Sequence, residues 1–352
     1  MPGKHYQPNY GPRADRFIDL YWLDPRRGWA LVHKVCVKSQ IRCATVYGTQ
    51  NGGETWSRLS RPDPFGPLML GQARLRFLTP RIGYLYAGAL SMTTDGGRNW
   101  TQLRGPQVES VVFSGDRVFR LVHHGTGCPG PCRIALERSM PGTDAWTTLR
   151  RWPHAPGFGE ELVAGGANLY VIFWGHIAGG EPSAHALIEV SRDRGRTWSA
   201  RTDPCGGSGG HEKDADGVAA ARDLLSILCV PRIAQKPSFT ALSRDAGRTF
   251  TAGAPIPLSA PEQIAVGDDG AVAVGNGGIR SGGGEFDYQL SLSGNGGRTW
   301  RVAIRDQEPR AEGMEGGSLQ FVGTRTVSWV GYPYFAWQSS DAGLSWRKAP
   351  AP

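Results

Sequence analysis

Four side chains of this sequence have the chemistry to carry a reaction: His123, His176, Arg280 and Tyr332. A histidine titrates near neutrality and can pass protons, a tyrosine can do so when a cation lowers its pKa, and a guanidinium pairs with a carboxylate. A second group is suited to holding a ligand: His124, Trp174, His211, Glu160, Glu312 and Tyr334. Aromatic rings stack on sugars, and the histidines and glutamates hydrogen-bond hydroxyls. His33, His154, Glu161, Glu212, Asp214 and Glu315 complete the chemically capable set. Each has a plainer role as well. Histidines at strand ends usually bond their own loop, Tyr332 and Trp174 can simply pack, and Glu308–Gly317 and His211–Asp216 read as charged loops. Spacing alone does not separate these roles.

The six cysteines are Cys36, Cys43, Cys128, Cys132, Cys205 and Cys229, which allow about 15 connectivities. Cys128-Pro-Gly-Pro-Cys132, with His123 and His124 just upstream, also has the spacing of zinc ligands. An even count in a turn-rich β-protein favours disulfides and an oxidising compartment. No complete metal or cofactor set is present. Asp214–Asp216 offers carboxylates to calcium without the full ligand spacing, so no cofactor is expected.

What must position these residues is a set of short strands. The chain of 352 residues has 50 Gly and 25 Pro with 12 Trp, 12 Phe and 10 Tyr, the balance of many tight turns around an aromatic core. One octapeptide recurs seven times. Its copies are Thr49-Gln-Asn-Gly-Gly-Glu-Thr-Trp56, Thr93-Thr-Asp-Gly-Gly-Arg-Asn-Trp100, Ser191-Arg-Asp-Arg-Gly-Arg-Thr-Trp198 and Ser243-Arg-Asp-Ala-Gly-Arg-Thr-Phe250. Ser293-Gly-Asn-Gly-Gly-Arg-Thr-Trp300 and Ser339-Ser-Asp-Ala-Gly-Leu-Ser-Trp346 follow, and Ser139-Met-Pro-Gly-Thr-Asp-Ala-Trp146 is a decayed copy. The closing aromatics stand 44, 46, 52, 52, 50 and 46 residues apart, the length of a unit of four strands. The Asp or Asn can accept hydrogen bonds from its own turn, the fifth-position Gly tolerates positive φ, and the aromatic residue starts the outgoing strand.

The octapeptide resembles the Asp box, Ser-x-Asp-x-Gly-x-Thr-Trp, of BNR-repeat propellers, a family that includes sialidases, sortilin-type receptors, xyloglucan-degrading hydrolases and photosystem II assembly factors. The likeness runs from about Phe17 to Trp346. It implies an all-β, seven-bladed β-propeller of four-stranded antiparallel blades with an Asp-box turn in each. The blades would fall roughly at 15–60, 61–105, 106–150, 151–202, 203–254, 255–304 and 305–352, after an N-terminal arm at 1–14. Blade one is expected to run through Phe17–Leu23, Gly28–Lys34, Ala44–Gly48 and Thr55–Leu59. In such a fold the loops between second and third strands and the connections between blades share one face, which gathers the candidate residues there and pairs the cysteines in order as three short bridges. The boxes lie away from that face and carry no catalytic role.

The family's early Arg-Ile-Pro signature is absent, which argues against sialidase chemistry. Net charge is +8, with Arg scattered through the turns instead of one stripe, so nucleic acid is not an expected partner. No stretch reaches the roughly 18 to 20 apolar residues of a membrane span. Met1–Arg16 lacks the apolar core of a signal peptide, although the cysteines point to export. The expectation is an exported, monomeric, non-catalytic propeller that binds a glycan or protein partner on its loop face. The alternative is a glycoside hydrolase or polysaccharide lyase acting on an acidic sugar polymer at the channel mouth.

Overall fold

The computed structural model describes residues 16–35, 42–62, 73–124, 133–152, 159–174, 186–206, 213–231, 237–277, 279–280, 286–308, 317–332 and 334–352. Among them there are strands, turns and bends but no helix. Strands β1 (Arg16–Trp22), β2 (Gly28–Val35), β3 (Arg42–Thr49) and β4 (Ser57–Ser60) form the first sheet in chain order. Apart from the slightly shifted ends, these are the strands read from the sequence.

The second sheet has six strands: β5 (Arg74–Phe77), β6 (Gly83–Thr93), β7 (Thr101–Ser114), β8 (Arg117–His124), β9 (Arg133–Ser139) and β10 (Thr147–Trp152). It runs across the expected boundary at 105/106. Strand β7 joins what the repeat reads as two units, since Thr101–Leu103 and Val108 pair with β6 and Gln107–Ser114 pairs with β8. Between these halves lie Gly105, at φ 150, and Pro106. The chain passes straight from one unit to the next without a connecting loop.

The third sheet is β11 (Gly159–Gly165), β12 (Asn168–Trp174), β13 (Leu187–Ser191) and β14 (Ser199–Arg201). The fourth is β15 (Lys213–Ala221), β16 (Leu224–Pro231), β17 (Phe239–Ser243) and β18 (Thr251–Ala252). In the fifth, β19 (Gln263–Val266) pairs with β20 (Val272–Gly275), and β22 (Phe286–Ser293) pairs with β20, β21 (Ile279–Arg280) and β23 (Arg301–Glu308). The last is β24 (Ser318–Val322), β25 (Thr326–Tyr332), β26 (Phe335–Ser339) and β27 (Arg347–Pro350). Every pairing is antiparallel.

First strands touch in turn: β1 meets β5, β7 meets β11, and β11, β15, β19 and β24 follow until β24 meets β1, while β5 and β7 are joined through β6 of their shared sheet. The core lies between sheets, because each strand sends alternate residues to its two neighbours. Trp29 and Leu31 of β2 pack with Leu75, Phe77 and Leu85, and the Trp29 and Phe77 rings stack at 3.7 Å. Ala30 and Val32, of opposite parity, pack with Phe17, Leu20 and Trp22 against Val322, Val330 and Ala336. That second cluster closes the ring.

The octapeptide turns are satisfied from within. In the fifth copy Asp245 Oδ1 accepts from the Thr249 N–H at 2.9 Å, Thr249 Oγ1 donates to Asp245 Oδ2 at 2.7 Å, and Ser243 Oγ accepts from the Gly247 N–H at 2.7 Å. Gly247 stands at φ 78, a conformation that a Cβ would strain. Arginines join neighbouring turns: Arg192 donates to the Asp245 and Ala246 carbonyls, and Arg301 to those of Ala342 and Gly343.

Of the expected bridges, Cys205–Cys229 is formed, with 24 residues of separation. Cys36, Cys128 and Cys132 lie outside the described residues, as does the Cys43 side chain, and the N-terminal arm lies outside them too.

Candidate functional site

The first strands enclose a central cavity of about 680 Å³. Its wall is of two kinds. One side carries charge: Asp19 and Tyr21 from β1, Arg74 and Arg76 from β5, Tyr86 from β6 and Glu161 from β11. The other is mostly apolar, with Val218 of β15, Ile264 and Val266 of β19, and Leu319 and Phe321 of β24.

Strand geometry explains the charged side. Along Arg74-Leu-Arg-Phe77 the fully buried Leu75 and Phe77 point into the core, so the alternating arginines are sent to the other face. Asp19 holds the pair of strands together. Its Oδ2 accepts from the Leu75 N–H at 2.7 Å and from Arg76 Nη1 at 3.3 Å. The Arg76 guanidinium also lies 5.7 Å from the Tyr21 ring centre. Burial opposes its charge, but Tyr86, Asp19, Tyr21 and Glu161 outweigh that cost and raise its pKa, so it stays protonated.

At one rim, three side chains from two sheets converge: Glu109 of β7, His123 at the end of β8 and Glu160 near the start of β11. Their ligand-type atoms all lie within 4.8 Å of one another. His123 Nε2 meets Glu160 Oε1. Glu109 occupies a register break between Val108 and Ser110, a bulge of the kind that redirects a side chain. Burial, reinforced by Glu109, pushes the Glu160 carboxyl up to about 7. Burial also lifts Glu161 to about 7 against the pull of Arg76 and Arg74, and it lowers the pKa of His123. Glu109 is accessible to water yet walled in on most sides, and desolvation raises its pKa despite Arg74.

A second opening of about 650 Å³ is lined by Gly88, Gln102, Arg104, Gly105, Gln107 and Arg120 among others. It lies where β7 crosses between units without a loop. Gln107 is the ladder partner of His123, which links the cleft to the cluster.

Among the residues singled out in the sequence, His123, Glu160 and Glu161 come together. His124 turns away towards Glu137, 3.7 Å from its Oε1. Trp174 packs half-buried on the core around Tyr170 and the Cys205–Cys229 bridge. Tyr334 lies on the last sheet under the Arg16 guanidinium, 5.1 Å from its ring centre. Tyr332 and Arg280 are placed in β25 and β21, but their side chains lie outside the described residues. His154, His176, His211, Glu212, Glu312 and Glu315 lie outside them altogether, as do the Asp214 and Asp216 side chains. Sequence reasoning missed Asp19, Arg74, Arg76 and Glu109. The signal was there in one case: charge at every second residue of a strand whose other residues are apolar.

No family model matches this sequence, and no curated protein matches it. Solved structures do. YCF48 from Cyanidioschyzon merolae aligns with a TM-score of 0.53 at 16% identity, over 94% of this chain and 95% of that one. The β-propeller domain of the Trilobed protease from Pyrococcus furiosus aligns at 0.55 and 9% identity, over 96% and 98%. The fold is a β-propeller. A polysaccharide lyase of family PL25, an ulvan lyase bound to -[GlcA(1-4)Rha3S]-, shares it with a TM-score of 0.58 at 9% identity, over 92% and 89%. The GH74 enzyme of Niastella koreensis scores 0.51 at 14%, and this propeller, 96% covered, spans 65% of that chain. At these identities the likeness is one of fold.

Proposed function

We propose that this chain is an exported seven-bladed propeller of the BNR/Asp-box type that binds a glycan or protein ligand at one mouth of its channel. The two-sided channel wall carries the reading: the Asp19, Arg74, Arg76 and Glu161 side offers hydrogen bonds and charge, and the Leu319 and Phe321 side offers an apolar surface. The cleft beside Gln107 offers an elongated ligand a second surface. Segments from seven first-strand positions line the cavity, which supports seven blades, with β7 supplying the last strand of the second and the first of the third. The propeller domain would span 15–352. The Cys205–Cys229 bridge supports an oxidising compartment.

One observation favours the enzyme reading instead. Two carboxyls that titrate near neutrality, Glu160 and Glu161, stand beside a desolvated imidazole and two arginines, a set suited to proton transfer on a sugar acid. Incubation with a panel of acidic and neutral polysaccharides and peptides, read for both retained complex and released fragments, separates the two. Retention that is weakened by Phe321→Ala, without fragments, is the expected result. Fragments that vanish in Glu161→Gln would establish the enzyme, and a panel with neither signal would remove the channel as the binding site.

A further inference from the structure

We propose that Glu109, His123 and Glu160 form a binding site for one divalent transition-metal ion at the rim of the channel. The inference goes beyond the ligand reading, and its test uses metal alone.

The donors come from three strands of two sheets, so the set is made by the packing of neighbouring blades and not by a local turn. Bonds of about 2.1 Å in a tetrahedral site put ligand atoms about 3.4 Å apart. Atoms already within 4.8 Å of one another lie close to that spacing. Two carboxylates and a neutral imidazole balance a dication. The imidazole decides the class of ion: calcium and magnesium take oxygen donors, whereas zinc and its first-row neighbours accept mixed nitrogen and oxygen sets.

A second observation points to a missing partner. The His123 side chain is 10% exposed, and one of its nitrogens meets Glu160, yet its Nδ1 is buried with no hydrogen-bond partner among the described residues. A buried polar atom left unpaired costs free energy that a metal contact or a ligand would offset. Glu109 is exposed, which leaves the outer coordination positions open to water or to an oxygen of whatever occupies the channel mouth.

The test is calorimetric titration of the chelator-stripped, full-length protein with Zn²⁺, with Co²⁺ absorption as a second reporter of the donor set. One equivalent is expected to bind saturably. Affinity should fall by at least about 100-fold in His123→Asn and in Glu160→Gln, because a ligand itself is lost and not only its outer-shell support. Glu109→Gln, at an exposed position that does not threaten folding, should weaken binding and alter the Co²⁺ spectrum. The Cys128→Ser/Cys132→Ser double variant should bind as the parent does. No saturable binding at one equivalent overturns the proposal. So does binding that survives in folded His123→Asn and Glu109→Gln, or that is lost when the cysteines are replaced, which would place the ion on the Cys128 loop.

Discussion

Gln320 holds both backbone polar groups of Trp22 across 298 residues of sequence: its Oε1 accepts from the Trp22 N–H at 3.0 Å, and its Nε2 donates to the Trp22 carbonyl at 2.8 Å. Trp22 Nε1 then donates to Ser328 Oγ at 2.9 Å, and Arg347 reaches the Gly52 carbonyl at 2.6 Å. The last sheet is thereby joined to the first by side chains where, among the described residues, no shared strand connects them.

Gln320→Ala should therefore destabilise the whole ring. Two amide contacts are lost and two backbone groups of Trp22 are left unpaired, a cost of about 2 kcal/mol. Equilibrium urea unfolding reads this as a lower midpoint at unchanged slope. Arg347→Ala removes an exposed contact and should cost under about 1 kcal/mol. Equal effects from the two would mean that closure does not depend on Gln320.

The turn carboxylates set an acid limit on stability. At Asp95 and Asp193 a small burial cost is outweighed by hydrogen bonds, from the Asn99 N–H and side chain in one and from the Thr197 hydroxyl and N–H in the other, which bring both down to about 2. A folded-state pKa below the unfolded value of about 4 means a contribution that is complete above pH 4 and lost as pH falls towards 2. Thermal melting should drop across that window. Asp95→Asn/Asp193→Asn should start lower at pH 6 and lose less between pH 4 and 2. A parallel loss in parent and variant would assign the acid sensitivity to other groups.

The Cys205–Cys229 bridge closes a stretch of 24 residues across the entry to the fourth sheet, with both sulfurs in the core that contains Ile188 and Ile227. Chain-entropy reasoning gives it about 3 kcal/mol. Cys205→Ala/Cys229→Ala should lose that much in urea unfolding, and the parent should lose a similar amount on reduction. A double variant as stable as the oxidised parent would show that packing alone holds this loop.

Much of the architecture was legible because its chemistry is local. Ser243, Asp245, Gly247 and Thr249 bond one another within seven residues, so the octapeptide carries its own turn wherever it occurs. Cys205 and Cys229 were legible for a related reason, since both belong to one sheet and its entry. The candidate site was not. Glu109 and His123 lie on paired strands of one hairpin, but Glu160 joins them only because β11 of the next sheet packs against β7 and β8. Arg74 and Arg76 were hidden among many surface arginines, and only the burial of Leu75 and Phe77 shows which face they occupy. The fused β7 was missed because the repeat puts a boundary at 105/106, whereas one strand runs through it.

The decayed third octapeptide gives the most specific stability prediction. Pro141 stands where the other copies have Asp or Asn, and the usual carboxylate bonds are absent there. Trp146 is held differently: its Nε1 donates to Asp144 Oδ1 at 2.9 Å, and the Arg120 guanidinium lies 4.0 Å from its ring centre. Arg120 is itself anchored by Glu137, with Nη2 to Oε2 at 2.7 Å and Nε to the same oxygen at 2.8 Å, and both side chains are buried. Removing one partner leaves a buried charge unpaired, so Arg120→Met should cost about 3 to 5 kcal/mol. Adding Glu137→Met in the same chain should recover most of that loss, because the desolvated carboxylate goes too, and what remains measures the stacking on Trp146, about 1 kcal/mol. If the double variant is no more stable than Arg120→Met, the guanidinium acts through Trp146, and Glu137 is incidental.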